Sequence, residues 1–201
     1  MSELLWEHEL WKGDLFKDGI ESQRLMLFGF SHYGSYENGS DDANFTNYAI
    51  KRWALKGELP FFNRIAGYFG FTDVSAFLHR VAFANALPRS VGDEEDKFSA
   101  GDERSQAAVP DRVRRLLHEV NADKAIIFSK KAWTLFPLYD DRQDDGVLEV
   151  EGYSPINFGG YRRSEGGFTQ AYGLRHTIAA RWDMMHASVQ AILTHEPGGG
   201  S

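Results

Sequence analysis

The sequence predicts an α/β fold built on a mostly parallel sheet, and three observations point there. Short, largely apolar runs at residues 25–28, 80–84 and 125–128 read as strands buried on both faces. Stretches with helical apolar spacing lie between them, the alternation that parallel strands joined by right-handed crossovers require. Each run gives way abruptly to polar residues, as a strand does where it meets a loop, and ligands of such folds bind beyond the carboxyl ends of the strands. The clearest case is Leu25-Met26-Leu27-Phe28-Gly29, followed by Phe30-Ser31-His32-Tyr33-Gly34. Gly29 has no side chain to obstruct a sharp turn or a close approach to a ligand.

In chain order, residues 2–12 predict a helix with Leu4, Leu5, Leu10 and Trp11 roughly on one side, stopped by Gly13. After the first strand comes a polar, glycine-rich loop at 35–42. A helix over 44–55 follows, with Phe45, Tyr48, Ala49 and Trp53 on its face, and another over 59–69, whose aromatic density reads as core. A short helix over 72–77, capped by Thr72 or Asp73, leads to the strand 80–84, which ends at Asn85. Residues 88–108 carry no periodicity and form a long loop, of a length that is usually functional or disordered.

Val109-Pro110-Asp111 opens a helix to about Val120, with Pro110 in the tolerated first turn. The strand 125–128 ends at Ser129, and a helix begins over 130–135. Residues 146–167 read as loop or edge strands. Residues 172–177 form a further strand-to-loop junction, giving four strand ends in all, and 179–194 a closing helix through Trp182, Met185, Val189 and Ile192.

The length of 201 residues fits one domain over 1–197, with Gly198-Gly199-Gly200-Ser201 as a linker-like tail. Cysteine is absent, which excludes disulfides, thiolate nucleophiles, iron-sulfur clusters and thiolate zinc sites. The histidines and acids show no ligand spacing such as His-Glu-x-x-His, so neither metal nor cofactor is expected. The apolar runs are too short to span a bilayer and the amino terminus is acidic, so the expected setting is cytoplasmic, with no membrane partner.

A net charge of -7 argues against a broad basic coat. Lys130 with Lys131, Arg162 with Arg163, and Arg175 with Arg181 nevertheless cluster away from the acidic runs at 93–96 and 140–145, which leaves a local basic face open. Taken individually, such groups read as solvated surface charge.

The four strand ends carry Ser31-His32-Tyr33, Asn85, Ser129-Lys130 and Arg175-His176-Thr177. In order and spacing they resemble the uracil-DNA glycosylase superfamily, particularly divergent members whose first motif reads Gly-Glu-Ser-His-Tyr-Gly, over residues 24 to 194. The resemblance implies a three-layer α/β/α sandwich around a central, mostly parallel four-stranded sheet. It also implies hydrolysis of the N-glycosidic bond of a base flipped out of DNA, by a monomer without cofactor, in repair or defence against phage.

On the matching positions, Ser31 or His32 would hold and activate water, and His176 would stabilise the departing base. Gly29, Phe30, Tyr33 and Asn85 would bind the base, with Asn85 reading its edge through one donor and one acceptor. Lys130, Lys131, Arg162, Arg163 and Arg175 would sit on the strand-end face and grip flanking phosphates.

The chain departs from the motif at Phe30, where relatives carry Glu, and at Ser31, where the best-known members carry the water-positioning Asp. These departures favour an altered base specificity, or a module that binds a nucleobase or modified DNA without hydrolysis. Without the resemblance, His32 and His176 read equally as structural histidines and Asn85 as a turn cap. A serine hydrolase built on Ser31 lacks the Gly-x-Ser-x-Gly setting of a nucleophile elbow.

Overall fold

The structure is a computed structural model that describes residues 7–32, 42–91, 102–139, 141–178 and 180–196. The first described residues, 7–10, are not helical, and β1 (Trp11–Lys12) lies antiparallel on the outer edge of the strand at 81–85. This corrects the helix expected over 2–12, as far as those residues are described. The Trp11 indole donates to the Leu78 carbonyl at 2.9 Å, and a Cβ on Gly13 would lie 2.3 Å from the His79 carbonyl oxygen. Close tertiary pairing therefore overrides the helical spacing.

β2 (Leu25–Gly29) is buried throughout. α1 (Phe45–Arg52), a 3₁₀ turn (Ala54–Lys56), α2 (Pro60–Tyr68) and α3 (Val74–Leu78) follow, with the Asp73 carboxylate capping α3 by accepting the Ser75 N–H at 2.8 Å. β3 (Val81–Asn85) comes next. Within the expected loop at 88–108, the described part contains α4 (Glu103–Ala107), whose first turn is capped by Asp102. α5 (Val109–Val120) completes the second crossover to β4 (Lys124–Ile127), and α6 (Lys130–Leu135) follows. β5 (Asp141–Leu148), β6 (Ile156–Arg162), β7 (Phe168–Gly173) and α7 (Trp182–Thr194) end the fold.

The seven strands form one sheet in the order β1-β3-β2-β4-β7-β6-β5. β3, β2, β4 and β7 are parallel, while β1, β6 and β5 each run antiparallel to their neighbour. The α/β class is as expected, but the sheet is wider than the four strands anticipated, because the 146–167 stretch and residues 11–12 contribute strands as well.

Side chains alternate across the sheet. Leu25, Leu27, Phe83, Ile126, Phe128 and Tyr172 join the core beneath α1, α2, α3 and α7, while Met26, Phe28, Ala82, Ala84, Ile127 and Ala171 join the core beneath α5 and α6. Helices thus cover both faces. Among the described residues no helix is long and apolar enough to cross a membrane.

From β2 the chain steps outward to β3, then crosses back past β2 to β4. The connection from β2 runs toward β3 and that from β4 toward the β7 side, in opposite directions, so the space beyond the carboxyl ends of β2 and β4 is where a fold of this kind places a ligand site.

Candidate active site

The carboxyl edge is built around Gly29 and Asn85, which pair across β2 and β3. A Cβ on Gly29 would lie 2.3 Å from Asn85 Oδ1, so glycine is what lets the amide occupy this place. Asn85 is only 3% exposed, and among the described residues no group hydrogen-bonds its side-chain amide. Its amide offers one donor face and one acceptor face that a ligand edge can pair. The Asn85 backbone carbonyl, in contrast, accepts from Nε of the buried Arg112 at 3.3 Å.

α2 runs over this edge from β3 toward β4, with the Phe62 ring 4.8 Å from that of Phe83 and the Tyr68 ring 6.4 Å from that of Phe128. Phe61 joins the two sides of the crevice. Its ring lies 6.1 Å from Phe83, whose own tip would be 3.3 Å from a Gly29 Cβ, and 5.9 Å from the His176 imidazole.

His176 follows β7 and is half-buried. Its Nδ1 accepts the Ile178 N–H at 3.3 Å, so the neutral ring carries its proton on Nε2, for which no partner occurs among the described residues. Burial, and secondarily the Arg64 guanidinium, hold its pKa below the ordinary histidine value. His176 is therefore a neutral donor near pH 7. Arg64 also donates to the Thr177 carbonyl at 3.1 Å, tying the loop after β7 to α2.

Beyond β2, Ala86 N–H donates to the Gly29 carbonyl, Leu87 N–H to that of Phe30 and Val91 N–H to that of His32, at 3.1, 3.0 and 2.9 Å. Ser31 reinforces this zipper, its hydroxyl lying 2.6 Å from the His32 carbonyl and 3.3 Å from that of Arg89. It is employed as a clasp between two loops rather than aimed at the crevice.

His32 turns toward α1. Its Nε2 is 3.0 Å from Thr46 Oγ1, and its ring stands edge-on to Phe45 at 4.9 Å and to His8 at 5.2 Å. It thus lies on the α1 side, whereas His176 lies against α2. Phe30 is half-buried with the Lys131 ammonium 5.6 Å above its ring. Tyr33, the remaining base-binding candidate, lies outside the described residues.

Of the expected phosphate contacts, Lys130 and Lys131 begin α6 just beyond β4, and Arg175 follows β7 with its Nη2 3.2 Å from Ser154 Oγ. Arg162 and Arg163 are at the other edge of the sheet. β6 runs antiparallel to β7, so Arg162 pairs with Phe168 where β7 begins, and Arg163 binds Asp123, just before β4, at 2.6 Å. The expectation that this pair shares the strand-end face is corrected by the direction of β6.

Phe61, Arg64 and Arg112 are site-forming residues that sequence reasoning passed over. In the sequence the first is one aromatic among many and the other two are ordinary helix charges. Among the described residues no three His, Cys, Asp or Glu side chains gather as metal ligands would. No protein-family model matches the chain, and no curated protein is significantly similar to it in sequence.

Proposed function

We propose that the carboxyl edge binds a nucleobase extruded from DNA and cleaves its N-glycosidic bond, leaving an abasic site. The observation that supports this reading is the little-exposed Asn85 beside Gly29, whose side-chain amide has no partner among the described residues, together with His176, whose Nε2–H is likewise without one. A planar heterocycle has what such a site lacks: a donor and acceptor edge for Asn85 and a π-face for Phe61.

Cleavage of the bond places positive charge on the sugar and negative charge on the departing base. A fixed donor aimed at the base oxygen is worth most where charge develops, and a neutral histidine donor needs no proton rearrangement to act. Arg64 adds a positive field behind His176. Lys130, Lys131 and Arg175 follow the carboxyl ends of β4 and β7, where flanking phosphates would run. Among the described residues of the first motif no carboxylate activates water, so the burden falls on leaving-group stabilisation and the oxocarbenium-like sugar is left to react with water directly.

The engagement of Ser31 with two backbone carbonyls favours one alternative, a base-sensing module without turnover. Both readings are tested by incubating the protein with labelled DNA carrying normal, uracil, deaminated, alkylated and bulky modified bases, then breaking abasic sites with hot alkali. Glycosylase activity is expected on one substrate, with His176→Ala lowering the rate about 10²–10³-fold, the range for loss of one such donor. Binding of one substrate without strand breaks would establish the sensing module. An unchanged rate in both His176→Ala and Asn85→Ala would refute the proposed site.

A further inference from the structure

Six residues beyond His176, the ring of Trp182 is 54% exposed at the start of α7. Isolated exposed aromatics are ordinary. This one is held rigidly. One face is stacked on the His186 imidazole, with centroids 4.9 Å apart and planes within 10°. His186 is itself fixed by its Nδ1, 3.0 Å from the Tyr68 carbonyl, which also accepts from Gln190 Nε2 at 3.1 Å. Because a carbonyl only accepts, His186 carries its proton on Nδ1. Trp182 Nε1 also passes close to Gly67, 3.6 Å from where a Cβ would stand. The Tyr68 ring also lies against it, tilted at 6.2 Å, so the platform is held by His186 and Tyr68 while about half of it stays exposed.

Its place relative to the crevice follows from α2. His176 meets this helix at Phe61, the Thr177 carbonyl at Arg64, and Trp182 at Gly67. Gly67 stands about 9 Å along the helix from Phe61 and about a third of a turn around it, a separation suited to a neighbouring nucleotide rather than the target itself. Ile178, between His176 and Trp182 in the sequence, is 71% exposed. The Asp183 carboxylate beside the platform is drawn onto Arg181 at 2.5 Å, which neutralises the nearest acid, and Arg64 supplies positive charge between the two stations.

We propose that Trp182, backed by His186, is a second nucleobase-stacking station, occupied by an unpaired base next to the target on the same DNA strand. This rests on the reading of the crevice as a nucleobase site and deepens it. A base can lie on Trp182 only if it is free of its own partner, so the protein prefers single-stranded or locally unwound DNA. A flat π-face with positive charge beside it is the usual sequence-tolerant device for single strands.

Anisotropy of labelled short oligothymidylate, against a strand of equal length and charge made only of abasic spacers, reads the stacking contribution alone. The comparison is made in Asn85→Ala protein, which removes the amide contact of the crevice and leaves Phe61 the same in every variant compared. Trp182→Ala should weaken oligothymidylate binding roughly tenfold, the worth of one stacked base, and leave spacer binding unchanged, with Trp182→Phe restoring most of the loss. Equal binding of oligothymidylate by the Trp182→Ala and parent proteins would overturn the inference even where base excision is observed. Trp182-dependent binding without excision of any base would leave the platform standing while the catalytic reading falls.

Discussion

Replacing Arg112 by methionine removes a buried guanidinium while nearly preserving side-chain volume. Arg112 is 3% exposed, and burial lowers its pKa to about 10, so it remains charged at neutral pH. Its Nη2 donates to the His8 carbonyl at 2.7 Å, its Nε to the Asn85 carbonyl at 3.3 Å, and its Nη1 meets the Glu7 carboxylate at 2.8 Å. The variant leaves two carbonyls without this donor and one carboxylate oxygen unpaired.

Breaking a buried ion pair at one partner costs about 3–5 kcal/mol. Glu7 is partly solvated and retains Arg115, so the lower end applies, about 3 kcal/mol. At about 2–4 °C per kcal/mol for a chain of this size, calorimetry should show a melting temperature lower by about 6–12 °C. In a double-mutant cycle, Glu7→Gln should be costly in the parent and nearly silent beside Arg112→Met. A loss below about 1 kcal/mol would refute the view that Arg112 secures the end of β3. Hydrogen exchange localises the effect: the Ala86 amide, bonded to Gly29, should exchange faster in the variant.

Gly29→Ala must displace the Asn85 amide, and should cost about 1–3 kcal/mol in urea denaturation together with loss of base binding or excision; unchanged binding would show that Asn85 does not read the ligand. NMR titration of His176 should give a midpoint below the ordinary histidine value, moving only part of the way back in Arg64→Gln because burial is the larger cause. Its folded pKa is lowered, so its contribution to stability is complete above the unfolded value near 6.5 and is lost as the pH falls from there toward the folded midpoint. Lys124 donates to the Ile192 and Leu193 carbonyls, both at 2.7 Å, and Lys124→Met should lower stability by about 2 kcal/mol by uncapping α7, measured by denaturant unfolding.

β2, β3 and β4 are legible in the sequence because burial on both faces leaves an uninterrupted apolar run, and α5 because one face alternates at helical spacing. β1 is not, since Trp11 suits a helical stripe equally well and only its bond to Leu78 commits it to the sheet. β6 carries adjacent glycines, and one of them admits the Tyr139 ring where a Cβ would be 2.3 Å away, a contact that has no local signature. α4 is a five-residue helix, too short for periodicity to register.

At the site, Gly29, Asn85 and His176 are legible as polar or small residues interrupting apolar strands at their ends. Arg64 is not, because on a helix it resembles any solvated charge until the loop after β7 folds onto it. Arg162 and Arg163 are misread for a vectorial reason: composition reveals a strand but not which way it runs.

The sheet also sets the order in which the chain must be assembled. Each parallel pairing joins segments far apart in sequence, as Leu25 with Val81, Leu25 with Lys124, and Lys124 with Gln170. Such closures are entropically slow, so this protein should fold on a longer timescale than a helical bundle of equal stability. Until Trp11 reaches Phe83, the outer edge of β3 presents the apolar sequence Val-Ala-Phe-Ala with unpaired backbone groups. Two residues, β1, stand between that edge and a second unfolded chain, which makes the docking of this strap the step that guards refolding against aggregation.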